Sequence, residues 1–146
     1  MSATSMDAIE IAAFLDEQHT GVLSLAKDDD GYAIPVSFTY DDEEQHVYLR
    51  LGYTPDSQKR DFLDASHTVT FVVYDRTDAG WTSVLARGRI VEVTETRLDA
   101  SILESVHSLD IPFFAVHAAP ADELEFTIAR LEISELSGIV EGQRGH

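Results

Sequence analysis

The residues best suited to chemistry in this chain are cations, because they are scarce. Ten Lys and Arg stand against twenty-seven Asp and Glu, yet Arg50, Lys59 and Arg60 all fall within one stretch, Val47–Leu63 (VYLRLGYTPDSQKRDFL). Val47, Leu49 and Leu51 alternate with Tyr48 and Arg50 as in a strand. Thr54 can then cap a helix that opens on Pro55 and carries Asp56 in its first turn. Backbone N–H groups at a helix start, a Ser57 hydroxyl and two or three cations together suit a phosphate. The same residues also suit a solvated helix face, with Arg50 paired to a nearby acid, and the window by itself leaves both open.

Composition narrows the classes. A length of 146 residues suits one domain with one core, spanning 1–146. No run approaches the ~20 apolar residues of a membrane helix, and the polar, acidic start MSATSMDAIEIAAFLDEQ does not read as an export signal. A cytoplasmic protein is expected. The absence of cysteine excludes disulfides, thiolate metal sites and Cys nucleophiles. A net charge of −17 argues against nucleic acid and against anionic membranes, since both demand clustered cations. So large an acidic excess resembles proteins of salt-loving microbes, in which dense counterions screen self-repulsion.

The elements that must position the cations follow in order. A helix is expected over about Met6–Gln18, with Ala8, Ile11, Ala12 and Leu15 on one face. Strands are expected at Val22–Ala26, Tyr32–Tyr40 and Val47–Leu51, joined by the acidic turns around Asp28–Gly31 and Asp41–Glu44. Asp28–Gly31 lacks the remaining ligands of a calcium loop and reads as a hairpin turn. Pro35 cannot donate to a ladder, so its strand lies at an edge or leaves backbone there free. After the Pro55–Asp64 helix come a strand at Thr68–Tyr74 and a long one at Trp81–Glu95, interrupted at Gly88 by a bulge or bend. Thr96–Val106 has helical spacing, His107–Asp122 has no clear period, and Leu124–Ile133 alternates as a closing strand. His107–Asp122 reads equally as a loop over the core or as a wall of a pocket or subunit contact. Six strands with helices outside them make an α+β, mainly β protein, and closure into a barrel hides the sheet edges.

The order of pieces resembles the pyridoxamine 5′-phosphate oxidase-like, FMN-binding split-barrel family, over about Asp7–Ile133. Four segments carry the likeness: Gly21–Ala26, Pro35–Phe38, the YLR…SQK of Tyr48–Lys59, and Trp81–Val93. The resemblance implies a six-stranded antiparallel split β-barrel with peripheral helices. It implies that Pro35, Val36, Ser37 and Phe38 run along a flavin ring, chiefly through backbone, and that Leu49 and Arg50 reach the ribityl chain and phosphate. Ser57, Gln58 and Lys59 match a Ser-Arg-Lys type signature at the phosphate, with Gln58 where a cation is common. Trp81 and Ser83 match a strand that approaches the flavin from a second subunit. A homodimer with FMN at its interface is therefore implied.

The longer Arg- and His-bearing end of the true pyridoxamine phosphate oxidases is not matched by LEISELSGIVEGQRGH, so vitamin B6 oxidation is not expected. The short flavin reductase and nitroreductase-like branches are closer. They suggest an oxidoreductase passing hydride or electrons through FMN to a small molecule. The alternative is a flavin-binding protein without turnover, acting as store, electron carrier or redox sensor, and a haem or deazaflavin binder is a further one. No catalytic residue is named, because His107, His117, Tyr40 and Tyr53 stand as isolated proton donors. No metal site is expected from the six histidines, which show no His-x-x-x-His pair. Neither a G-x-S-x-G elbow nor a glycine-rich nucleotide loop is present.

Overall fold

The computed structural model describes residues 3–53, 68–93, 100–107 and 125–142. Among these residues seven strands are seen: β1 (Ala3–Ser5), β2 (Thr20–Lys27), β3 (Asp30–Asp41), β4 (His46–Tyr53), β5 (Val69–Thr77), β6 (Gly80–Val93) and β7 (Glu125–Gly142). Two helices accompany them, α1 (Ala8–Glu17) and α2 (Ala100–His107). All strand pairs are antiparallel, in the order β1-β7-β4-β3-β2-β5-β6, and β6 pairs back onto β7. Six strands thus close into a ring. The α+β, mainly β expectation holds, with the short β1 added at Ile139–Glu141 of β7.

Local chemistry explains the elements. Asp7 caps α1 through a reciprocal pair, its Oδ1 accepting from the Glu10 N–H at 2.8 Å while Glu10 Oε1 accepts from the Asp7 N–H at 3.1 Å. The β2–β3 hairpin turns on Asp28 and Asp29, with Asp28 at φ 55°, a left-handed conformation that Asp tolerates. In β6 burial alternates residue by residue from Gly80 to Gly88. The inward set of the ring includes Leu23, Leu25, Ile34, Val36, Phe38, Leu49, Phe71 and Val84, and α1 adds Ile11, Phe14 and Leu15 to the same core. Phe38 and Phe71 meet edge to face, with ring centroids 5.0 Å apart.

The expected interruption at Gly88 is present, and its origin lies across the ladder. Arg87 pairs with Glu135 and Gly88 with Ile133, so Ser134 is an extra residue on β7, its hydroxyl donating to the Arg87 carbonyl at 3.1 Å. A side chain at Gly88 would place Cβ 2.0 Å from the Glu132 carbonyl oxygen. Beyond the bulge the inward positions of β7 change from odd to even numbers. The strand therefore runs nine residues past the Ile133 expected from the simple alternation. α1 lies within the first expected helix, and α2 falls on the third and ends at His107, one residue past the expected end, with residues 96–99 outside the described residues. The expected helix at Pro55–Asp64 and the segment 108–124 lie outside the described residues.

Candidate functional site

The two middle strands of the meander part company at one residue pair. β3 and β4 are paired from Asp41↔His46 to Ser37↔Arg50, and no further. Past that point β4 continues against β7, pairing Leu51↔Thr127, Gly52↔Phe126 and Tyr53↔Glu125, while β3 continues against β2. The β3 segment from Asp30 to Val36 thus has an edge with no strand on it among the described residues.

Pro35 sits on that edge at no cost to the ladder. The Phe38 N–H donates to the His19 carbonyl at 3.0 Å, on the β2 side. Backbone groups of an extended strand alternate sides, so Val36 and Ile34 serve β2 whereas the Pro35 carbonyl and the Ala33 N–H and carbonyl point to the open side. A planar group lying there would meet backbone acceptors and a donor.

The side chains of the expected site divide into two sets. Val36, Phe38 and Leu49 point into the core and are 3%, 1% and 0% exposed, so any ligand contact they make is through backbone. Pro35, Ser37 and Arg50 lie on the outer face. Arg50 is half-buried there between Ser37 on β3 and Ile128 on β7. Ser57, Gln58 and Lys59 lie outside the described residues, so the phosphate cluster is seen only at its Arg50 end.

A neighbouring cation was not singled out from the sequence. Arg130 occupies the next outward position on β7 and pairs with Tyr48 across the ladder. Its guanidinium donates to Glu132 Oε2 at 2.8 Å and 3.2 Å. Burial pulls its pKa down, but the hydrogen bonds to Glu132 and Tyr48 outweigh this and raise it, so its charge is secure. Alternation along Ile128-Ala129-Arg130-Leu131 was the signal that could have placed it on this face.

Trp81 and Ser83 lie on a different part of the outer surface. Tyr74, Ser83 and Ile139 form one in-register row across β5, β6 and β7, and Arg76, Trp81 and Glu141 form the next. Tyr74, Trp81 and Ile139 are exposed, and Arg76 stands over the Trp81 ring with its guanidinium carbon 5.8 Å from the centroid. A third row runs Pro35, Val22, Val72, Leu85 and Ser137, across five strands. The exposed apolar face therefore reaches the open edge of β3 without a break.

Among the described residues no group of His, Asp and Glu could hold a metal ion. His46 opens β4 as a strand-start histidine, but its Nδ1 is buried without a hydrogen-bond partner and its ring packs edge to face on Tyr48. No described helix is long and apolar enough to cross a membrane.

Comparison with known proteins agrees with this architecture. A FAD-binding protein from Mesorhizobium loti is 24% identical over 95% of this chain and 96% of its own, with a TM-score of 0.68. The FAD-binding protein from Mycobacterium smegmatis is 16% identical over 94% of this chain and 100% of its own, at 0.64. A flavocytochrome from Azotobacter vinelandii is 18% identical over 98% of this chain and 70% of its own, at 0.62. At these identities the likeness is one of fold. No curated protein matches the sequence. The family model described as pyridoxamine 5′-phosphate oxidase matches residues 7–140, and with that match over nearly its whole length the chain belongs to the pyridoxamine 5′-phosphate oxidase family.

Proposed function

We propose that this protein is an FMN-binding oxidoreductase that works as a homodimer, with flavin held at the open edge of β3. The observation that carries the proposal is the parting of β3 and β4 immediately after the Ser37–Arg50 pair. It leaves backbone acceptors beside a half-buried guanidinium, which fits a flat ring with a phosphate tail. Membership of the family supports a flavin as the ligand, as do the names of the structural neighbours. Two of those names specify FAD, so FAD is the second flavin to test.

The bound flavin would supply hydride or electron transfer, and the chain supplies position. Arg50, with Ser57, Gln58 and Lys59, would hold the phosphate. Pro35–Phe38 would present backbone to the ring, and the apolar row Pro35, Val22, Val72 and Leu85 would dock a second copy that covers it. Trp81 and Ser83 of that copy would then approach the ring. No described side chain is assigned as acid or base. The acceptor is a small molecule, and a cytoplasmic setting suits the chemistry.

The deciding experiment is a visible absorption spectrum of the purified protein, in high salt, after incubation with FMN or FAD and desalting. A flavin spectrum retained with FMN supports the proposal, and one retained with FAD alone replaces FMN. A colourless protein after both treatments overturns it and turns attention to deazaflavin and haem. Reduction of the bound flavin by a nicotinamide cofactor, followed by reoxidation by an added acceptor, separates an oxidoreductase from a carrier or sensor without turnover.

A further inference from the structure

The outer face of β4 carries a charged row that the proposed flavin site does not use. Asp41 on β3, His46 on β4, Glu132 on β7 and Arg89 on β6 stand in register across four strands. Glu132 is the junction. Its Oε2 accepts from the Arg130 guanidinium at 2.8 Å, and its Oε1 lies 3.8 Å from that of Arg89. Arg130 is also hydrogen-bonded to Tyr48, which is buried with Ile128 against Val106 and Ile102 of α2. Polar contacts thus run from Glu132 to the seat of that helix.

His46 is the anomaly in the row. It is half-buried, yet its Nδ1 is closed to water and has no hydrogen-bond partner among the described residues. A bare lone pair there fits a neutral ring, because a proton on Nδ1 would be a buried N–H without an acceptor. Imidazole is also the side chain whose charge ordinarily changes near neutral pH. Two carboxylates flank it, and register decides between them. The Ile133 N–H donates to the Gln45 carbonyl at 3.3 Å, which makes His46–Glu132 a non-hydrogen-bonded pair, the kind whose side chains lie closer. Asp41 therefore faces His46 in the wider kind of pair, and its Oδ1 already accepts from the Glu43 N–H at 3.2 Å. Asp42, Glu43 and Glu44 are exposed in the turn before β4, and α2 carries Glu104 and His107.

We infer that His46 is a proton-operated latch: on gaining a proton at Nδ1 it draws Glu132 away from Arg130, and the Tyr48 contact beneath α2 loosens. The proton comes from water, and no covalent bond between heavy atoms changes. One cation replaces another at the same carboxylate, so an ionic contact is kept. Arg130, with a quarter of its side chain exposed, turns to water. The latch does not depend on flavin, since it lies two rows from the Ser37–Arg50 pair.

The test is an NMR titration of the isotope-labelled full chain between about pH 8.5 and about pH 5.5, the range that brackets an ordinary imidazole. It follows the imidazole nitrogens, the Arg130 Nε–H and the exchange of the α2 amides. His46→Gln and Arg130→Lys assign the two side-chain signals. At the alkaline end the His46 ring should be neutral with its proton on Nε2. As pH falls, the Arg130 Nε–H should shift with the midpoint of His46. Protection of the Ile102–Val106 amides, corrected for intrinsic exchange, should drop by about fivefold, the scale of one partly solvated ionic contact. Both responses should be absent in His46→Gln and Glu132→Gln and kept in Asp41→Asn. The inference is overturned if the Arg130 signal holds still while His46 titrates, or if it moves equally in His46→Gln. It is also overturned if Asp41→Asn rather than Glu132→Gln removes the response, or if His46 stays neutral across the range.

Discussion

Ser37 and Arg50 face each other across β3 and β4, and they are the last pair before those strands separate. Both lie on the outer face, one register step from Pro35, whose carbonyl points to the open side. A guanidinium thereby lies beside a strand edge that carries no strand among the described residues, in a chain that is otherwise strongly acidic.

That relationship separates binding from folding. Arg50→Ala and Lys59→Ala should each weaken FMN binding by about 1–3 kcal/mol, the scale of a charge-assisted hydrogen bond lost to a phosphate. Phe38→Leu, a change inside the core that breaks the contact with Phe71, should lower stability by about 1–2 kcal/mol and leave FMN affinity unchanged. Fluorescence titration with FMN and chemical denaturation of the same variants check this. Unchanged affinity in Arg50→Ala removes it from the phosphate site.

The apolar outer face gives a second expectation. Leu85 is 39% exposed and stands fourth in the row that runs from Pro35 to Ser137. If the proposed homodimer forms through this row, Leu85→Glu should convert it to monomer and release flavin together, because a buried unpaired carboxylate opposes association. Sedimentation velocity with detection at a flavin wavelength follows both at once. A monomer that keeps its flavin contradicts a shared site.

Gly88 has no room for a side chain, since Cβ would lie 2.0 Å from the Glu132 carbonyl oxygen and backbone cannot rotate out of the way. Gly88→Ala should cost about 2–3 kcal/mol. In a chain of this size that lowers Tm by about 5–10 °C, read by circular dichroism. A variant with unchanged Tm means that β7 can shift its bulge.

Tyr40 predicts the alkaline limb of stability. Its pKa is raised above the ordinary 10.0 by burial and by Asp42 and Asp41, so the folded state holds this proton more tightly than the unfolded chain does. Its contribution is full below about pH 10 and is lost as pH rises through the folded pKa. Tyr40→Phe should flatten the fall in denaturation midpoint above that pH. An identical slope in the variant would show that other groups cause the fall.

The formal charge of −17 on 146 residues makes self-repulsion a further lever. Raising KCl from about 0.1 M to about 1 M shortens the screening length from ~10 Å to ~3 Å and should raise Tm. A flat or falling Tm over that range contradicts the salt-loving character read from composition.

The strands, their hairpins and their mostly β character were legible because alternation and turn residues are local signals. VLSLA, YAIPVSFTY and VYLRL each carry a period of two, and the acidic turns between them name their own joints. The sequence also placed the interruption at Gly88 and, among the described residues, the strand edge at Pro35, since glycine and proline announce a conformation by themselves. β7 was read only to Ile133 because the extra Ser134 reverses the phase of alternation, and a bulge belongs to a pairing rather than to a strand. The tertiary structure alone decided that Ser37 and Arg50 come opposite each other as the last pair before β3 and β4 part, and that Arg130 comes beside Tyr48. It alone brought Pro35, Val22, Val72 and Leu85 into one row. Registers between strands far apart in the chain are fixed by packing on a shared core, and no local pattern encodes that sum.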